Sequence, residues 1–244
     1  MLKDKIAFVT GGSGAIGSAI VRTMAREGCS VAYSYNSRED KARKIDTEMA
    51  ASGLNVTSYK LDILDGKAAT VLAETIEKDL GPIDILVNNA GTSQVMPFAM
   101  ITEADWDSIM DVNVKGMFLV TKAFARGMIR RKKGVIINMS SLAGFRMLEV
   151  PVHYATAKAA VSGFTFSLAR ELGRYNIRVN TVAPGMLTDG VSVNILEKQQ
   201  QQYKEYSAMS RAGEPSEVAE LVAFLASDRS SFITAQTLLI DGGI

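Results

Sequence analysis

Lys5-Ile6-Ala7-Phe8-Val9-Thr10-Gly11-Gly12-Ser13-Gly14-Ala15-Ile16-Gly17 begins as a short, branched apolar run, breaks into glycines and continues as a helical pattern. Strand, glycine turn and helix N-terminus in that order make a diphosphate site. The glycines let the backbone approach the pyrophosphate, and the N–H groups of the first helical turn, which have no partner within the helix, point at its charge. A second strand follows at Ser30-Val31-Ala32-Tyr33-Ser34-Tyr35, as a nucleotide-binding βαβ unit requires.

Working outward, strands are expected near 5–10, 30–35, 55–60, 83–88, 134–140, 177–183 and 236–240, with amphipathic stretches between them. That alternation predicts an α/β protein with a parallel sheet covered on both faces, a doubly wound seven-stranded sheet in a single domain spanning 1–244. Ser37 before Asp40 predicts a capping box, and Gly81-Pro82 the end of the helix before the fourth strand. Residues 186–212 are expected to form a flap between the sixth strand and the next helix. The polar run Gln199–Gln202 is expected on a solvated helix face.

Tyr154 and Lys158, in His153-Tyr154-Ala155-Thr156-Ala157-Lys158, are four apart and share a helix face. A free phenol titrates near pH 10. A phenol that gives and takes protons near neutrality needs a neighbouring positive charge, which Lys158 is placed to supply. By itself the pair is a weak signal; its weight comes from the nucleotide-binding start of the chain.

Composition sets outer bounds. The 244 residues, 47% hydrophobic and 22% charged, suit one well-filled core. No apolar run approaches a membrane span, and Met1-Leu2-Lys3-Asp4-Lys5-Ile6 enters the first strand without a leader pattern. The single cysteine, Cys29, makes no internal disulfide, so the cytoplasm is the expected compartment. A formal net charge of +1 gives no ground for expecting nucleic acid as a partner, and no metal site is expected.

Further landmarks follow in order. Asn88-Asn89-Ala90-Gly91 comes after the strand Ile83–Val87, Asn113 sits within Asp111-Val112-Asn113-Val114-Lys115-Gly116, and Ser141 follows the strand Gly134–Met139. Tyr154 lies thirteen residues after Ser141, Pro184-Gly185 follows the strand Ile177–Ala183, and Asp241-Gly242-Gly243 comes near the end. Along nearly its whole length the chain resembles the short-chain dehydrogenase/reductase family, of Rossmann-type fold, and most of all the 3-oxoacyl-[acyl-carrier-protein] reductases. Of two possible glycine registers, Gly12-x-Gly14-x-x-Gly17 and Thr10-Gly11-x-x-x-Ala15-x-Gly17, the resemblance selects the second, with Ala15 in place of the family's middle glycine.

The resemblance implies roles residue by residue. Tyr154 donates a proton to a carbonyl oxygen as hydride arrives from a nicotinamide, Lys158 stabilises the phenolate and reaches the nicotinamide ribose, Ser141 bonds the same oxygen, and Asn113 holds a water in the proton relay. Asn113 stands mid-helix, where its side chain gains nothing locally. Cofactor contacts are implied for Gly11, Ser13, Ala15, Ile16 and Gly17, for Asp62 and Ile63 at the adenine, for Asn89, Ala90 and Gly91, and for Pro184, Gly185 and Thr188. Thr188 comes one residue earlier than is usual. Ala235 replaces a glycine common before the last strand.

At the end of the second strand, where an NAD enzyme carries an acidic residue, stand Tyr35, Asn36, Ser37 and Arg38. Hydroxyl, amide and guanidinium groups donate to a 2′-phosphate, so NADPH/NADP+ is expected over NADH, although Gly14 stands where many NADP-specific relatives carry an arginine. Arg38 has an alternative place beside Glu39 and Asp40 as a solvated helix residue. The segment Leu142–His153, with Met96, Met147, Met186 and Leu187, is expected to line the substrate site; His153 is expected to pack or to make a surface hydrogen bond beside Tyr154. Lys132 and Arg174 are the candidate cations for an acidic acyl carrier protein, while Arg130–Lys133 also fits a solvated helix C-terminus. Tyr175 stands where the reductases carry their second docking arginine.

A homotetramer is expected through helices near 105–130 and 155–173. Three functions stay open: an NADPH-dependent 3-oxoacyl-carrier reductase of fatty-acid or polyketide synthesis, a dehydrogenase/reductase of a free sugar, polyol or cyclic ketone, and a non-catalytic nucleotide-binding scaffold.

Overall fold

The first strand, β1 (Ile6–Val9), divides its side chains between two cores: Ala7 and Val9 go to one face of the sheet and Phe8 to the other. The same split recurs along β4 (Ile85–Asn88), where Ile85 and Val87 share the first core and Leu86 the second. Strands buried on both faces must be apolar throughout, which is why they read as continuous hydrophobic runs rather than alternating ones.

The computed structural model describes residues 1–190 and 197–244. The remaining strands are β2 (Ser30–Tyr35), β3 (Val56–Lys60), β5 (Gly134–Met139), β6 (Ile177–Pro184) and β7 (Thr237–Ile240). All pair in parallel in the order β3-β2-β1-β4-β5-β6-β7. On one face lie α1 (Ala15–Arg26), α2 (Glu39–Ala51) and α8 (Pro215–Ala226). The other carries α3 (Gly66–Asp79), α5 (Met117–Arg131) and α6 (Val152–Leu172), where the rings of Phe8 and Phe124 stack 4.3 Å apart. α4 (Glu103–Met110) runs into α5 through a π-helical turn at Asp111–Gly116, and α7 (Glu197–Tyr206) precedes α8.

Helix starts differ from expectation at α2. Its N-cap is Arg38, with no side-chain capping bond, so the Ser37/Asp40 box does not form; the chain leaves β2 through an exposed bend and the helix opens at Glu39. Capping boxes form instead at Thr102/Asp105 on α4 and at Glu214/Glu217 on α8. α3 ends as expected, Leu80 being its C-cap and Gly81 turning the chain at φ +108°. Of the expected flap at 186–212, residues 191–196 lie outside the described residues. α7 is fastened to the end of the sheet, Tyr203 Oη donating to Asp241 O at 2.7 Å and Ser207 Oγ, just beyond the helix, to Gly242 O at 2.9 Å. Among the described residues no helix is long and apolar enough to cross a membrane.

Candidate active site

Strand order reverses direction between β1 and β4, so the connections leaving their C-terminal ends diverge and open a crevice. Thr10 joins the two walls: its Oγ1 accepts from the backbone N–H groups of Asn89 and Ala90, each at 2.9 Å, while Asn89 Nδ2 donates to Thr10 O at 2.9 Å and Gly11 O at 3.2 Å. Asn89 is thereby spent on holding the glycine turn against β4. Gly11 has φ +65°, and a side chain there would press on Ala90.

Gly12 and Gly17 face inward: a Cβ at Gly12 would enter the Tyr33 ring, and one at Gly17 would meet Gly11 O and Asn89 Nδ2. Both are needed for close packing of turn, strand and helix. α1 begins at Ala15 with Gly14 as N-cap and no side-chain cap, so its first N–H groups stay available to an external acceptor. The uncapped helix start and bare glycine surface fit a diphosphate. Ser13 is buried in this turn, Ala15 opens the helix, and Ile16 packs on the first core.

Beyond β2, Asn36, Ser37 and Arg38 are all exposed. Glu39, the alternative partner of Arg38, is taken by Arg43 at 2.6 Å, and Arg38 has no ion pair among the described residues. Tyr35 is half-buried at the strand end. Asp62 is exposed after β3, its Oδ1 accepting from Leu64 N at 2.9 Å, and Ile63 lies against Gly116. At the end of β6, Pro184 is buried and Gly185 packs against Tyr203 and Asp241. Thr188 donates its hydroxyl to Glu214 Oε2 at 2.7 Å.

Ser141, Tyr154, Lys158 and Asn113 come together beside Gly91. Ser141 follows β5 and caps a short helical turn, its Oγ accepting from Ala143 N at 3.2 Å and lying close enough to the Tyr154 phenol to lower its pKa. Burial pushes that phenol further in the opposite direction, so its pKa is raised on balance. The Lys158 ammonium is buried 5.7 Å from the Tyr154 ring centroid, donates to Met139 O at 3.3 Å, and is pushed down by burial to about 8. A Cβ on Gly91 would meet Asn113 Oδ1 and Lys158 Nζ, so glycine there keeps the space between the two open. Asn113 Nδ2 donates to Thr92 O at 2.8 Å and Ile109 O at 3.0 Å, which corrects the expectation that its side chain gains nothing locally. Its Oδ1 is buried without a partner among the described residues. The π-helical turn is what carries this asparagine inward.

Residues 11–244 match a family model described as "Enoyl-(Acyl carrier protein) reductase". The 3-oxoacyl-[acyl-carrier-protein] reductase FabG of Aquifex aeolicus is 37% identical over 244 residues, covering 100% of this chain and 98% of that protein. Its counterpart in Thermotoga maritima is 36% identical over 243 residues, with the same coverage. Among solved structures, gox2181 superposes with a TM-score of 0.94 at 31% identity, covering 99% of this chain and 95% of that one. A short-chain dehydrogenase/reductase from Serratia marcescens gives 0.93 at 35%, covering 99% and 98%. The chain belongs to the short-chain dehydrogenase/reductase family.

As a short-chain dehydrogenase/reductase it is an oxidoreductase acting on CH–OH/C=O groups with a nicotinamide cofactor. Thr10 and His153, both already read in the sequence, and Ser140 and Gln94, which were not, position the site. Thr10 braces the crevice; Ser140 Oγ donates to Lys158 O at 2.6 Å, fixing α6 to the end of β5; and buried His153 contacts Gln94, 59 positions away in the chain. Thr10 opens the glycine register that the resemblance selects; the roles of Ser140 and Gln94 depend on partners distant in the chain. Met186 and Leu187 are buried and line a cavity with Met209, Arg211 and Glu217, while Met96 is half-buried and Met147 fully exposed. Of the basic cluster, Arg130 and Arg131 pair with Glu77 and Lys133 with Asp84, leaving Lys132 with no ion pair among the described residues. Arg174 stacks on Tyr175, 5.0 Å from its centroid.

Proposed function

We propose that this protein reduces the keto group of a 3-oxoacyl thioester carried on acyl carrier protein, with NADPH as reductant. The observation that carries the reading is the convergence of Ser141, Tyr154, Lys158 and the unpartnered Asn113 Oδ1 at one crevice, in a chain similar over its full length to proteins named for that reaction. Gly11, Ser13, Ala15, Ile16 and Gly17 would hold the diphosphate; Tyr35, Asn36, Ser37 and Arg38 the 2′-phosphate end; Asp62 and Ile63 the adenine; Asn89, Ala90, Gly91, Pro184, Gly185 and Thr188 the remainder. When bound, the nicotinamide supplies the hydride.

Ser141 Oγ accepts from Ala143 N and bonds the Tyr154 phenol; with substrate present its hydrogen would turn to the substrate oxygen, and its benefit grows as negative charge develops there. Tyr154 passes its proton to that oxygen, and the nearby Lys158 charge stabilises the phenolate left behind. Asn113 Oδ1 accepts from the water that returns a proton through Lys158. Against NAD specificity stands the exposed Arg38, which Glu39 leaves unengaged. The protein works as a cytoplasmic homotetramer through α4–α5 and α6, its one cysteine buried and reduced.

The test is steady-state oxidation of NADPH and NADH with a 3-oxoacyl-carrier protein, its small thioester mimic, the matching enoyl thioester, and free ketones and sugars. Strong preference for the carrier-bound oxo compound with NADPH is expected. Turnover of free ketones or sugars alone would move the enzyme to the small-molecule reading, enoyl reduction would follow the family model's description, and equal efficiency with NADH would remove the Arg38 argument.

A further inference from the structure

α6, which carries Tyr154, starts without a conventional cap. Its N-cap is Pro151, whose side chain has no oxygen to offer, and the first bond closing the helix is Ala155 N to Pro151 O. The Tyr154 amide is therefore the last of the orphaned donors at this end. It is taken up by the neighbouring ring: Tyr154 N donates to His153 Nδ1 at 3.0 Å.

That bond belongs to a chain whose direction is fixed from its far end. Asp105 is an acceptor, held well below the usual carboxylate range at about 2, chiefly by its bond from Thr102. Thr102 N and Oγ1 reach its Oδ2 at 3.0 and 2.6 Å in the capping box of α4. An ionised carboxylate accepts only, so Gln94 must present its NH2 group, and Gln94 Nε2 donates to Asp105 Oδ1 at 2.7 Å. The Gln94 oxygen then faces His153 Nε2 at 3.3 Å, which places the ring proton on Nε2 and leaves Nδ1 a lone pair for the Tyr154 amide. The same loop is tied to the other side of the site by Asn113 Nδ2 bonding Thr92 O.

We infer that Gln94 and His153 are positioning residues for the reduction: with Asp105 they lock the 92–94 strap, the start of α4 and the backbone of Tyr154 into one unit, setting where the phenol stands. This rests on Tyr154 being the proton donor, as proposed above. His153 is fully buried and Gln94 half-buried, so solvent does not readily replace either bond. Neither side chain touches the reacting atoms.

The test is a double-mutant cycle, Gln94→Leu, His153→Phe and both together, with two readouts. On the small 3-oxoacyl thioester, each single variant is expected to lose about tenfold in kcat, with KM for NADPH within about twofold of the parent and the double variant no worse than the poorer single. By amide hydrogen exchange, the Tyr154 N–H is expected to lose protection in each single variant. His153→Asn, which retains an acceptor beside the amide but cannot reach Gln94, should lose about as much rate as Gln94→Leu, and adding Gln94→Leu to it should change nothing further. It also keeps the cycle readable should His153→Phe not fold. Multiplying losses, or a Tyr154 amide indifferent to Gln94→Leu, would overturn the relay. A parent enzyme that leaves the thioester unreduced would defeat the substrate reading, while the exchange experiment would still decide the relay.

Discussion

Lys158 is the buried amine of the proposed site, and burial sets its ionisation. The sequence placed a lysine beside a tyrosine and predicted a phenol tuned downward; within the protein both groups are desolvated, the phenol rising and the ammonium falling from 10.5 to about 8. What could not be read from a four-residue spacing is the dielectric around the pair. Folding penalises a charged Lys158 throughout the range below about pH 8, and the penalty fades between about 8 and 10.5 as the unfolded lysine also loses its proton. Lys158→Met should therefore abolish reduction and yet stabilise the fold at pH 7 by about 1–2 kcal/mol, after loss of the bond to Met139 O is set against a gain of about 1.4 kcal/mol per pKa unit. The gain should vanish near pH 10.5, as read from urea melts at the two pH values. In the parent enzyme kcat should fall as pH rises through about 8; a flat profile to pH 9.5 would detach the Lys158 charge from the reaction. Ala235 is a replacement visible in the sequence, with a backbone conformation visible only in the structure. It replaces a family glycine and takes φ +56°, a conformation that costs an alanine about 1 kcal/mol.

At the level of elements, the strands were legible because burial on both faces demands continuous apolar runs, and β2 fell where it was expected, at Ser30–Tyr35. Helix starts were less so. Ser37 has the right residue type for a cap but stands in an exposed bend one residue too early, whereas Thr102 and Glu214 do the capping. Least legible was a polar ladder through the sheet. Asn88 Nδ2 donates to Thr121 Oγ1 and Asn138 Oδ1, Asn138 Nδ2 to Thr165 Oγ1, each at 2.8 Å, and Thr181 Oγ1 to Thr165 Oγ1 at 2.7 Å. It ties α5 and α6 across β4, β5 and β6, and every member is buried. Asn88 read as part of a family motif; only the register Asn88↔Asn138↔Thr181 shows it as part of one network. Thr165→Val preserves shape but orphans a proton on Asn138 and the Thr181 hydroxyl. It should destabilise the protein by about 2–4 kcal/mol, since each buried donor left unpaired costs about 1–3. A shift below about 0.5 kcal/mol in urea would show that the ladder contributes little.

At the scale of the whole molecule, the parallel sheet separates the site from the cations proposed to receive the carrier protein. Ser141 follows the C-terminal end of β5, whereas Lys132 precedes its N-terminal end and Arg174 precedes that of β6, the neighbouring strand. Six strand residues at about 3.3 Å each put roughly 20 Å of sheet between the two edges. A carrier docked on Lys132 and Arg174 thus stands at the wrong end of its own subunit, and the docking proposal requires that the assembly bring this edge near the site of a second copy. Phe118 on α5 and Phe166 on α6, 44% and 48% exposed, offer apolar contacts for such an assembly. Phe118→Asp with Phe166→Asp should lower the mass seen by light scattering, and should reduce kcat/KM for the carrier-bound substrate about tenfold more than for the small thioester, which needs no docking. In the parent assembly, Lys132→Glu should selectively weaken the carrier-bound reaction, and added salt should do the same because it screens an exposed charged surface. A dissociated variant that keeps the full preference for the carrier would refute docking across subunits and move the carrier's surface to the C-terminal edge of the sheet, beside the exposed Met147 and the strap that bears Gln94.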